Sequence, residues 1–118
     1  MTLDKYFEGK DDSRQLCEAL HSVIKIIGKA EIRVTKSQVV FRRRKAFAWV
    51  WMPGKYLRGK HAPLVLTVSM HYRDISPRWK EIADPAPGRF THHLELYSTS
   101  DIDDEVHDWP WEAWRNAA

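Results

Sequence analysis

The sequence is short of several things that narrow what it can be. It has one cysteine, Cys17, in 118 residues, so no internal disulfide, cysteine metal quartet or redox pair can form. A reducing, cytoplasmic setting is the expectation. There is no run approaching 18 apolar residues, which excludes a membrane-spanning helix from the reading. Met1-Thr-Leu-Asp-Lys-Tyr6 lacks the apolar segment of a secretory signal. No internal repeat, low-complexity tract, glycine-rich phosphate loop or complete catalytic motif interrupts the chain.

What is present reads as globular. Apolar residues make up 43% and charged residues 30%, and the length suits one domain over residues 1–118. The net charge is only +3, yet it is unevenly spread. Residues 29–89 hold fourteen Lys and Arg against four Asp and Glu, a net of +10. Residues 90–118 hold Arg115 against seven acids, a net of −6. Such asymmetry speaks to partners, not to fold.

Periodicity supplies the elements. Tyr6 to Lys10 reads as an arm ending in a turn. Asp12 and Gln15 have capping-box spacing, and Leu16, Leu20, Val23 and Ile27, widened by Cys17 and Ile24, form one helical stripe that stops at Gly28. Glu31–Lys36 alternates with period two, Ser37-Gln38 turns, and Val39–Phe41 follows. Ala46–Met52 and Leu64–Met70 are β-branched or aromatic runs, separated by a basic loop over 53–61. Ser76–Ile82 reads as one helical turn and Arg89–Tyr97 as a fifth strand. A last helix starts near Ser100, its acidic first turns suiting the helix dipole, and Pro110 is expected to kink or end it. The expected fold is therefore α+β: an antiparallel sheet of about five strands, with an N-terminal and a C-terminal helix on one face.

The run Ile32-Arg-Val-Thr-Lys-Ser-Gln-Val-Val-Phe-Arg-Arg-Arg-Lys-Ala-Phe-Ala48 resembles the bacterial domain-of-unknown-function family numbered five-six-five-five. Tyr6–Lys10 and His92-His93-Leu94-Glu95-Leu96 resemble it as well, so nearly the whole chain is covered. The resemblance implies the α+β fold and a bacterial origin. It carries no established activity and no catalytic residue. Pro110 departs from the unbroken final helix that it implies.

Candidate site residues follow from charge and strand parity. Arg33, Lys36, Arg42, Arg43 and Arg44 can neutralise phosphates if their strands are adjacent. Trp49 and Trp51, two apart, share a strand face, and an exposed aromatic pair beside cations suits base stacking. The competing reading puts both tryptophans in the core. His93 and Glu95 also share a face, as two metal ligands short of a third or as an acid–base pair. No metal and no cofactor are expected. Trp79 anchors a loop or lids a cleft. Trp109, Trp111 and Trp114 cannot all reach one core, which leaves at least one exposed.

The leading expectation is a non-catalytic binding module for an anionic partner, nucleic acid or another polyanion. A homodimer joining the basic block to the acidic tail is the alternative. A small-ligand or enzymatic pocket on the open sheet face, with His93, Glu95, Lys36 and Trp51, is the third.

Overall fold

The computed structural model describes residues 1–55 and 58–118. Two helices, a sheet and a third helix follow in chain order: α1 (Leu3–Tyr6), α2 (Asp11–Ile27), β1 (Glu31–Val34), β2 (Val39–Arg42), β3 (Ala46–Trp51), β4 (Leu64–Met70), β5 (Glu81–Ala86), β6 (Arg89–Leu96) and α3 (Asp104–Asn116). The strands form one antiparallel sheet in the order β1-β2-β3-β4-β6-β5. Strands 1 to 4 run as a meander. The chain then steps past β6 to lay down β5 at the edge and returns through a hairpin. Gly88 at that turn has φ +70°, a left-handed conformation that favours glycine.

Strand β5 is the sixth strand, where one helical turn is expected from Ser76 to Ile82. Its Asp84-Pro85-Ala86 segment hides the strand signal, because proline cannot donate to a ladder. Proline is tolerated here because β5 lies at the sheet edge and its pairing slips between Ala83 and Ala86.

Alternation divides each strand between two faces. Val39, Phe41, Ala48, Val50, Leu66, Val68, Leu94 and Leu96 are buried in a core shared with Leu16, Cys17, Leu20 and Ile24 of α2 and Val106, Trp109 and Ala113 of α3. Both long helices thus cover one face of the sheet. The thiol of Cys17 is pushed up to about 12 by that burial, so it packs as a small hydrophobe and does not ionise near neutrality.

Local details differ from expectation in three places. The arm before Gly9 contains α1, capped by the Thr2 hydroxyl, and it buries Tyr6 and Phe7. Lys10, not Asp12, occupies the N-cap of α2, so Asp11 and Asp12 serve the first turn as dipole partners instead. Pro110 lies inside α3, which continues to Asn116. Proline costs the bond to the Val106 carbonyl, but Val106, Trp109, Pro110 and Ala113 are buried on one stripe that holds the helix on the sheet. Trp111 faces outward at 45% exposure, as the crowding of three tryptophans requires. Of the basic loop over 53–61, Pro53–Lys55 forms a short 3-10 turn, and residues 56 and 57 lie outside the described residues.

Candidate functional site: an open-face hollow and a cationic groove

Pairing aligns one row of side chains across all six strands on the face away from α2 and α3: Arg33, Val40, Trp49, Thr67, His93 and Glu81. Trp51, Val65 and Glu95 form the next row. Trp49, Trp51, Thr67 and His93 line a hollow of about 380 Å³, walled by Ser37 and Gln38 of the β1–β2 turn and by Arg89 and Thr91 of β6. The two tryptophans are half-buried and lie on the open face, not in the helix-covered core.

A relay of hydrogen bonds fixes the floor. The Trp51 indole N–H donates to Thr67 Oγ1 at 3.0 Å, and Thr67 Oγ1 lies 2.7 Å from His93 Nδ1. A hydroxyl has one proton. After accepting the indole N–H, Thr67 Oγ1 keeps that proton and a second lone pair, so its bond to Nδ1 runs in the direction set by the imidazole tautomer. Burial lowers the His93 pKa, and the Glu81 carboxylate only partly opposes that shift, so the neutral form holds. The His93 and Trp51 rings meet edge to face at 6.2 Å.

The cations expected around these tryptophans are divided by the fold. Arg33 shares the row of Trp49 and bonds Glu31 at 2.6 Å. Lys36 sits exposed in the β1–β2 turn beside Ser37, its carbonyl accepting from Lys55 Nζ. Glu95 is drawn to Lys80 at 3.7 Å and does not line the hollow. Arg42 and Arg43 lie at the other end of the short β1–β2 ladder, roughly 10 Å from that turn at the rise of a β-strand. Among the described residues, no three His, Cys, Asp or Glu gather as metal ligands.

Arg42 and Arg43 open onto a second, larger groove of about 1040 Å³, shared with His21 and Lys25 of α2, Lys29 and Trp114. The Trp114 ring is the floor of this groove. Its indole N–H donates to the Lys29 carbonyl at 2.9 Å. The ring lies so close to Gly28 that a Cβ there would meet it at 2.3 Å. Glycine at 28 is thus required by the close approach of Trp114, because its backbone is extended and not left-handed. The Arg43 guanidinium lies over the Trp114 ring at 3.7 Å and donates to the Trp114 carbonyl at 3.2 Å. Arg44 flanks the groove on the exposed turn, its backbone N–H bonded to the Ala117 carbonyl.

None of Lys25, Lys29, Arg42 and Arg43 forms an ion pair among the described residues. Glu31, the carboxylate lining the groove, is held low first by its bond to Arg33 and further by the field of Arg42. Part of this arrangement is structural: Lys25, in the last turn of α2, complements the negative end of its dipole.

Sequence reasoning misses Thr67, Gln38, Arg89 and Thr91 in the hollow, and Lys25, Lys29 and Trp114 in the groove. A signal for Thr67 exists: Thr67 and Ser69 are period-two polar positions in an otherwise apolar strand. The groove has no such signal, since it joins α2, β1, β2 and α3.

A family model described as Domain of unknown function (DUF5655) matches residues 3–117. The chain belongs to this family. No curated protein and no solved structure matches it.

Proposed function

We propose that this member of the DUF5655 family is a binding module for an anionic partner, with the spaced phosphates of a nucleic-acid strand as the ligand chemistry. The observation that carries the reading is the groove lined by Lys25, Lys29, Arg42 and Arg43, none of them ion-paired among the described residues, with Arg43 over the Trp114 ring. A guanidinium held on an aromatic plate loses little freedom on binding and offers its remaining N–H groups to phosphate oxygens. Arg44 and Lys45, both exposed on the adjoining turn, extend the same positive field. A bacterial, cytoplasmic setting fits the family and the single buried thiol of Cys17.

Self-association of this groove with the acidic start of α3 in a second copy is the weaker reading. Arg78 already holds Asp103 at 3.0 Å and Glu105 at 2.9 Å within the chain. The test is fluorescence anisotropy of a labelled, mixed-sequence single-stranded oligonucleotide at low salt. Binding is expected, and Lys25→Glu or Arg43→Glu weakens it several-fold. No binding by the wild-type protein at low salt overturns the reading.

A further inference from the structure

We propose that the open-face hollow is a second site, built for a flat, uncharged heteroaromatic ring of the nucleobase class. It uses none of the groove's cations, so it stands independently of the polyanion reading.

Three observations carry it. Trp49 is half-buried on the open face, and its indole has no hydrogen-bond or ring partner among the described residues. A core tryptophan of this protein looks different: Trp109 is stacked on Trp79 at 4.1 Å and is 6% exposed. The part of the indole left exposed is apolar surface in water, and a stacking ligand covers it.

Next, the polar groups at the rim alternate in kind. With Nδ1 occupied by Thr67, His93 presents Nε2 to the hollow, a donor or an acceptor according to the tautomer. The Gln38 side-chain amide has no partner among the described residues and offers one donor group and one acceptor. A nucleobase edge presents the same mixture of donors and acceptors, which a hydrocarbon ring does not. Arg89 at the rim can meet a ring carbonyl or, where the ring is attached to one, a phosphate.

Finally, the hollow is of the right size and stiffness. Its volume of about 380 Å³ falls at the lower end of small-ligand pockets, which suits one base or nucleoside and not an extended ligand. The floor is preformed, since Trp51, Thr67 and His93 are locked to one another across β3, β4 and β6. The ring could come from a free nucleoside or from an unstacked base of a bound strand, and the experiment separates the two.

The four uncharged ribonucleosides are titrated to about 10 mM while the Trp49 indole and His93 ring resonances are followed by NMR. At least one nucleoside is expected to shift both sets, with Trp49→Ala weakening its binding about tenfold or more and Gln38→Ala by less. Arg43→Glu is expected to leave nucleoside binding unchanged while it reduces binding of an abasic strand. A loss of affinity for a base-bearing strand in Trp49→Ala, with the abasic strand unaffected, identifies the base of a strand as the occupant. A loss confined to nucleosides identifies the free molecule. Shifts that persist unchanged in Trp49→Ala, or no shift at Trp49 and His93 up to the highest concentration, overturn the proposal.

Discussion

His92 and His93 are neighbours in sequence and opposites in environment. Strand alternation sends His92 into the helix-covered core, where it is fully buried, and His93 into the open-face hollow. Both nitrogens of His92 are used: Nδ1 lies 3.2 Å from the Phe90 carbonyl, and Nε2 accepts from the Asp74 backbone N–H at 3.0 Å. Trp79 packs on its ring at 4.9 Å and bonds Asp74 through its indole N–H. Trp109 and Arg78 complete that stack. His93 engages one nitrogen and leaves the other without a partner among the described residues. The lesson is that two identical residues one position apart meet opposite environments, and their partners separate them where residue type does not.

The largest effect is expected on the core side of that comparison. Trp109→Ala empties the middle of the stack and should cost about 3–5 kcal/mol of stability, read by chemical denaturation. Gly28→Val comes next. Its side chain enters space held by the Trp114 ring, and overpacking of this kind costs about 1–3 kcal/mol. Because Trp114 carries Arg43, the same change should weaken oligonucleotide binding, whereas an equally destabilising change under α2 far from the groove should not.

Acid gives a graded test. Burial lowers the His92 pKa below its ordinary value of 6.5, so the unfolded chain takes up a proton at a pH where the folded chain does not. Stability is full above about pH 6.5 and falls as the pH drops below it. A proton on Nε2 would also oppose the Asp74 N–H. His93 and His21 are lowered by burial too and act in the same direction, so His92→Gln should reduce the pH dependence without abolishing it. Denaturant midpoints between pH 8 and pH 5 measure this. The smallest effect is expected on the open-face side: Trp49→Ala should change stability by no more than about 1 kcal/mol while removing ligand response in the hollow. A cost as large as that of Trp109→Ala would make Trp49 a core residue and erase the comparison.

Much of this fold is legible because strands and amphipathic helices announce themselves by period. The stripe of α2, strands β1 to β4 and β6, and the shared face of Trp49 and Trp51 all follow from spacing. Strand β5 is hidden because Pro85 contradicts its neighbours, and only its edge position resolves the conflict. The run through Pro110 is hidden for a related reason: tertiary burial of Val106, Trp109 and Ala113 outweighs one lost hydrogen bond. The candidate site is half legible. Parity pairs Trp49 with Trp51 and His93 with Glu95, but only the register of β3, β4 and β6 brings the two pairs to one face, and parity cannot tell that Arg43 turns toward Trp114, 71 residues on. Charge runs in sequence give the number of cations and not their company.

The most direct test of the account is the salt dependence of single-stranded oligonucleotide affinity, measured for the wild-type protein, Arg43→Glu with Lys25→Glu, and Trp49→Ala. The account predicts a linear log–log plot for wild type, a slope shallower by about two phosphate contacts in the charge-reversed protein, and an unchanged slope in Trp49→Ala. A wild-type affinity that ignores salt, or a slope that the groove substitutions leave untouched, would contradict it.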